Sequence, residues 1–166
     1  RDSDAMVAGH VLDSLSVREL VEGPRVIDVG TGAGFPGLPL AIVEPRHHIT
    51  LIDSNGKKIS FVRHMIGELG LDNARATQVR AERFAPESRF DTVITRAFAS
   101  LPKTLELAGH LLADNGVLLA LKGRYPHAEL ADLAVRAEKW EIEVTEVTVP
   151  ALAQHSRHIV AMRRGQ

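Results

Sequence analysis

At 166 residues, 45% hydrophobic and 25% charged, the chain has the size and composition of one globular domain with its own core. It contains no cysteine, which excludes disulfides, cysteine-based zinc sites and cysteine nucleophiles, and suits a reducing, cytoplasmic location. The formal net charge is −1, so any grip on nucleic acid has to rest on a local basic face, and no apolar run reaches the roughly 18–20 residues of a membrane span.

The polar opening RDSDAM enters a helical pattern without an initiator Met, as if the sequence began inside a longer chain. Met6, Val7, Val11 and Leu15 then mark a leading helix over about Asp4 to Val21. The Val/Ile run RVIDV near Arg25 to Val29 predicts a buried strand, followed by a Gly/Pro-rich turn and a short helix through Leu38 to Val43. HITLID predicts a second strand ending at Asp53. Ser54 or Asn55 can cap the next helix, whose apolar face is Ile59, Val62, Ile66 and Leu69 and whose stop is Gly70. A third strand is expected near Ala76 to Val79 and a fourth from Phe90, FDTVITR. A helix from Leu101 to Leu112, a strand GVLLALKG and a helix bearing Leu130, Leu133 and Ala137 complete the alternation.

Strand and helix alternating in this way predict a parallel sheet covered on both faces. The tail differs. EIEVTEVTVP and RHIVAMRR are joined by too few residues for a parallel crossover, which needs about a dozen, so they should pair antiparallel. The expected fold is therefore α/β and doubly wound: a mostly parallel seven-stranded sheet ending in an antiparallel hairpin. Residues 1–166 read as a single domain, with 1–22 as its leading helix, and the sequence offers no metal-ligating set.

DVGTGAGFPG follows a strand and opens a helix, where glycines let the backbone take positive φ and approach a ligand closely. Gly30, Gly32 and Gly34 are so placed, and Gly32, Gly34 and Gly37 also satisfy the dinucleotide pattern. Asp53, at the end of the second strand, can accept both hydroxyls of a ribose, whether in NAD or in S-adenosylmethionine. Asp28 separates the two. A carboxylate just before the glycines repels a pyrophosphate but favours a cationic sulfonium ligand, directly or through water; alternatively it organises the turn. The closing hairpin points the same way, because it is the ending expected of the S-adenosylmethionine methyltransferase fold. Ligands of open α/β sheets lie beyond the C-terminal strand ends, which adds Ala81, Glu82, Arg96 and Lys122 to the candidate cleft. A dehydrogenase, a methyltransferase for another target and a silent cofactor-binding module stay open on this reading alone, although no N-P-P-Y or D-P-P-Y motif of amino-nitrogen methylation is present.

An ordered set of segments carries a resemblance: HVLDS at His10, DVGTGAGFPG at Asp28, LIDSNGKKISF at Leu51, RAE at Arg80, SRFDTVITRAFASL at Ser88, LALKG at Leu119, VPAL at Val149 and RHIVAMRR at Arg157. Together they resemble the bacterial ribosomal small-subunit methyltransferase G family, also called glucose-inhibited division protein B. The resemblance implies methylation of guanine N7 in 16S ribosomal RNA with S-adenosyl-L-methionine as cofactor. It places cofactor contacts on Gly30, Phe35, Ala81, Glu82 and Arg96, beside Asp28, Gly32 and Asp53 from the residue reading. The resemblance implies further helices ahead of this point, which the sequence as it begins here is expected to lack, and commonly an Arg where this chain has Gly9.

Guanine N7 holds an in-plane lone pair and no proton, so its methylation requires no general base, and no catalytic acid–base pair is evident. Arg96, Lys122, Arg124, Arg157 and His158, with His10 near the entrance, are the candidates for holding the base or its phosphates. Lys57, Lys58 and Arg63 form a basic helix face that either meets RNA phosphates or is simply solvated. The near-neutral chain is expected to recognise folded 16S ribosomal RNA within a ribosomal particle, with no membrane and no obligate protein partner.

Overall fold

The computed structural model describes residues 2–136, 139–148 and 157–165, with the side chains of residues 9–135 in the first stretch. Seven strands lie among them: β1 (Arg25–Val29), β2 (His48–Asp53), β3 (Ala74–Gln78), β4 (Phe90–Arg96), β5 (Leu112–Lys122), β6 (Trp140–Val147) and β7 (Arg157–Arg164). They form one sheet in the order β3-β2-β1-β4-β5-β7-β6. The first five are mutually parallel, and β7 runs antiparallel to both β5 and β6. The closing hairpin is thus folded back, with its second strand inserted beside β5. The helices are α1 (Asp2–Leu15), α2 (Gly37–Val43), α3 (Gly56–Glu68), α4 (Leu101–Ala108) and α5 (His127–Arg136).

Strand alternation sends successive side chains to opposite faces and builds two cores. On one face Ile27, Val29, Val93 and Leu118 pack with Leu101 and Ala108 of α4 and Leu133 of α5. On the other, Val26, Leu51, Ile94 and Leu119 pack with Leu38, Leu40 and Ala41 of α2, Val62 of α3 and Val17. Each such fully buried side chain stabilises the fold by roughly 1.5–3 kcal/mol. Asn55 caps α3, its Oδ1 accepting from Lys57 N and Lys58 N at 3.0 and 3.2 Å, and Gly70 takes the left-handed conformation beyond the helix end.

The structure corrects several element boundaries. The leading helix stops at Leu15 instead of continuing to Val21, and a 3₁₀ turn follows over Arg18–Leu20. At the break, Ser14 Oγ donates to His10 O at 2.7 Å and Ser16 Oγ to Asp13 O at 2.6 Å, hydroxyl bonds that compete with helix propagation. The helix expected to reach Leu112 ends at Ala108, a 3₁₀ turn covers Gly109–Leu111, and Leu112 opens β5 opposite Phe90. The ladder then shifts so that Thr92 faces Val117. β3 also starts earlier than expected, at Ala74. The Met6 and Val7 side chains, Ala137 and the VPAL segment at Val149 lie outside the described residues.

Two glycines differ sharply in what surrounds them. A Cβ on Gly37 would lie 2.5 Å from Leu51 Cδ2 and 2.9 Å from Asp28 Oδ2, whereas one on Gly67 of α3 would meet nothing within 4 Å. Gly37→Ala is expected to destabilise the fold by about 1–3 kcal/mol through overpacking. Gly67→Ala should stabilise it by about 0.5–1 kcal/mol through helix propensity. Denaturant unfolding of both variants checks the pair.

Candidate active site

The turn after β1 is held from inside. Gly30 N and Thr31 N both donate to Ile52 O at 2.9 and 3.0 Å, and Gly34 N and Phe35 N both donate to Thr31 O at 3.0 and 3.1 Å. Gly30, Gly32 and Gly34 have φ of 69°, 61° and 94°, the left-handed values that a side chain resists. Their surroundings divide the labour. A Cβ on Gly30 would strike Phe98 Cδ2 at 2.8 Å, while one on Gly32 would meet nothing within 4 Å. Gly32 is therefore the one of these three glycines with open space at its Cβ position.

Asp28 lies beneath this turn, 1% exposed. Its Oδ2 accepts from Thr31 Oγ1 at 2.6 Å and from Gly37 N at 2.9 Å, while its Oδ1 is buried with no hydrogen-bond partner. Desolvation pushes its pKa up from 3.8 to about 6, against the lowering effect of those two hydrogen bonds and of Arg96. Asp28 does organise the turn, and half of its carboxylate is left over.

One cleft of about 330 Å³ opens beside the glycines, lined by Gly30, Asp53, Lys58, Ala81, Glu82 and Phe98 among others. Asp53 reaches into the turn, its Oδ2 accepting from Gly32 N at 3.0 Å and its Oδ1 from Asn55 N at 2.9 Å. Ala81 is buried and Glu82 is exposed, with Arg80 Nη1 3.9 Å from its carboxylate. The sequence-derived candidates Gly30, Asp53, Ala81 and Glu82 thus share one wall.

A second cleft, of about 390 Å³, collects five of the six positioning candidates, His10, Arg96, Lys122, Arg157 and His158, while Arg124 is exposed and does not line it. Ala97 lines both clefts and holds φ at 47°, a strained value for a residue with a Cβ. It marks where the clefts adjoin. Phe35 stands beside two residues of the second cleft, with the Arg96 guanidinium 5.6 Å from its ring centroid and the exposed His10 ring 6.2 Å away.

Asp13, which lies in the HVLDS segment but is not among the sequence-derived candidates, ties this cleft together. Its Oδ1 accepts from Arg157 Nε at 2.8 Å, and its Oδ2 lies 3.8 Å from Arg96 Nη1. One carboxylate therefore serves two guanidiniums that arrive from β4 and β7. Lys122 is committed elsewhere: its Nζ donates to Glu129 Oε2 at 2.7 Å and to Ala99 O at 3.0 Å. The same Glu129 oxygen accepts from Leu101 N at 2.7 Å, so this pair fastens the β4–α4 loop, which is the strand-end role for the lysine. His158 is buried against Tyr125, ring centroids 5.4 Å apart and edge to face. No sequence spacing connects Asp13 with Arg157, 144 positions away; only the fold joins them.

A seven-stranded sheet with an inserted antiparallel β7, a glycine turn at β1 and an acid at the end of β2 defines the class of S-adenosylmethionine-dependent methyltransferases. Solved structures agree on the fold. The chain is similar to a SAM-dependent methyltransferase from Aquifex aeolicus at TM-score 0.68 and 19% identity, covering 98% of each chain. It is likewise similar to a precorrin-6y C5,15-methyltransferase from Geobacter metallireducens at TM-score 0.67 and 14% identity, covering 96% of this chain and 88% of that one.

Sequence comparison is narrower. The profile of the rRNA small subunit methyltransferase G family matches residues 1–160. The chain is 47% identical to a ribosomal RNA small subunit methyltransferase G of Idiomarina loihiensis, over 99% of this chain and 78% of that protein. It is 45% identical to the protein of the same name from Aeromonas salmonicida, over 100% of this chain and 78% of that one. The chain belongs to the rRNA small subunit methyltransferase G family, a family of S-adenosylmethionine-dependent enzymes.

The Asp28 site has a pH signature. Its pKa is higher in the folded chain (about 6) than the ordinary 3.8, so folding favours the protonated form. That stabilisation is fully present below about pH 4 and is lost as pH rises through about 6. Asp28→Asn keeps an acceptor for Thr31 and Gly37 and removes the titration. In the ligand-free protein, the stability of wild type relative to Asp28→Asn should fall by up to about 3 kcal/mol between pH 4 and pH 7. Paired denaturation curves across that range check it.

Proposed function

We propose that the chain methylates N7 of a guanine in 16S ribosomal RNA, acting in the cytoplasm on a ribosomal particle, with residues 1–166 working as one methyltransferase domain. The observation that carries this reading is the gathering of Arg96, Arg157 and His10 with Asp13 in a cleft that shares Ala97 with the cleft beside the glycine turn.

The glycine turn and the first cleft beside it fit the cofactor. The unpartnered Oδ1 of Asp28 favours a cationic amino-acid end, the bare backbone at Gly32 admits close approach, Asp53 suits the ribose hydroxyls, and Ala81 and Glu82 border the position left for the base. Ala97 borders both this ligand's cleft and the second, where Arg96 lies with Phe35 against it. When bound, S-adenosylmethionine supplies an electrophilic methyl group.

The protein's own task is placement. Guanine N7 has a free lone pair, so no side chain has to remove a proton, and holding N7 in line at near-attack distance accounts for most of the rate. Guanine presents O6 beside N7 on the same edge, an acceptor that guanidinium groups recognise. Arg96 and Arg157 supply those donors, and Asp13 sets their separation while reducing the charge of the cluster. Particle recognition follows from the net charge of −1, since a near-neutral chain gains little from long-range attraction to naked RNA.

Mass mapping of nucleosides in 16S ribosomal RNA from cells with and without the protein tests the reading. One N7-methylguanosine should vanish without it and return with wild type, but not with Arg96→Ala. Asp13→Asn should lower kcat/KM by about tenfold, the effect of loosening one partly buried charge pair. Unchanged ribosomal RNA modification in cells lacking the protein would refute the proposal.

A further inference from the structure

We infer that the outer face of α3, centred on Phe61, is a second contact surface for the RNA substrate, gripping an unpaired segment beside the target by stacking a base on Phe61 and holding phosphates on Lys57 and Lys58. The inference rests on the ribosomal RNA reading above and extends it to a surface outside both clefts.

The helix divides cleanly. Ile59 and Val62 are buried, and Met65 and Ile66 pack against the same core, so Lys57, Lys58, Phe61 and Arg63 face outward. Phe61 is 48% exposed. Aromatic residues are only 4% of the chain, and among the described residues Phe61 and Tyr125 are the exposed ones. A single exposed apolar side chain is ordinary; an aromatic one flanked by cations is the composition of a single-strand binding platform.

The charges on this helix differ from many elsewhere. Arg18 is matched by Glu44, Lys103 by Glu106 and Arg163 by Glu22. Among the described residues, Lys57 and Lys58 have no carboxylate within 4.0 Å. α3 carries three cations against one carboxylate, Glu68 at its far end, on a chain of net charge −1. A near-neutral protein that groups unmatched cations on one helix has concentrated attraction for a polyanion there. The patch is also continuous with the chemistry, because Lys58 lines the cleft that holds Asp53 and Ala81.

The test uses Lys57→Glu combined with Phe61→Ser, leaving Lys58 intact because it borders the cofactor cleft, and Phe61→Leu alone. Three quantities are read: affinity for S-adenosylhomocysteine, steady-state kinetics on small-subunit particles and on 16S RNA, and the salt dependence of RNA binding. The double variant should keep wild-type cofactor affinity and kcat, while KM for RNA rises by about tenfold. The slope of log affinity against log salt should become shallower by about 0.7–0.9 for each phosphate that the variant no longer neutralises. Phe61→Leu, which keeps an apolar side chain without a ring, should raise KM without changing the slope, and it remains informative if the double variant folds poorly. Unchanged KM and slope with an active wild type overturn the inference and leave the ribosomal RNA reading standing. A KM rise on particles with none on RNA assigns the face to a ribosomal protein, which also overturns it. A wild type inactive on every small-subunit substrate overturns the ribosomal RNA reading and the inference with it.

Discussion

The carboxylate of Asp28 sits near the end of β1, inside the protein, with the glycine turn folded over it. Burial makes its charge costly, and only two hydrogen bonds, from Thr31 and from Gly37 N, offset that cost. Those two bonds fix the start and the finish of the turn relative to the strand. Gly37 has to be glycine because Leu51 and the Asp28 oxygen leave no room for a Cβ. The turn's position in turn sets Gly32 beside Asp53, and Phe35 beside Arg96. A single desolvated carboxylate therefore locates the glycine turn between the two clefts, and its unused oxygen is an electrostatic reason for the proposed cationic ligand to bind there.

The second organising carboxylate is Asp13. It joins guanidiniums from different regions of the sheet, Arg96 from β4 and Arg157 from β7, which come close only because β7 inserts next to β5. The antiparallel hairpin is thus part of the site as well as a mark of the fold. Lys122 and Glu129 have a quieter task, fastening the loop after β4 so that Arg96 and the strained Ala97 keep their places. Charge pairing of this kind uses up much of the chain's basic character, and Lys57 and Lys58 of α3 stand outside it.

Much of this is legible in the residues alone. The Val/Ile runs RVIDV and HITLID mark the bounds of β1 and β2, and the short connection before RHIVAMRR dictates the antiparallel ending. Leu112 misleads because LELAGHLL keeps helical spacing past the point where the chain turns; burial of Leu111 and Leu112 in the sheet core satisfies the same pattern. The leading helix reads too long for a related reason, since the serine hydroxyl bonds at Ser14 and Ser16 that accompany its end leave no mark in apolar periodicity. For the candidate site, strand-end logic names Asp53, Ala81, Glu82 and Arg96, which line the two clefts, but it is blind to Asp13, whose partners lie across the fold. It also names Lys122, which lines the second cleft while its Nζ is bonded to Glu129 and to a backbone carbonyl, partners that strand-end logic does not foresee.

The central claim is that the turn held by Asp28 is the cofactor's cradle and that the cleft beside it adjoins the substrate cleft at Ala97. Hydrogen–deuterium exchange with and without S-adenosylhomocysteine addresses it most directly. Protection should appear at Gly30–Phe35, around Asp53, at Ala81–Glu82 and at Arg96–Phe98, with α5 and β6 unchanged. Saturable binding without protection at the glycine turn would contradict the account.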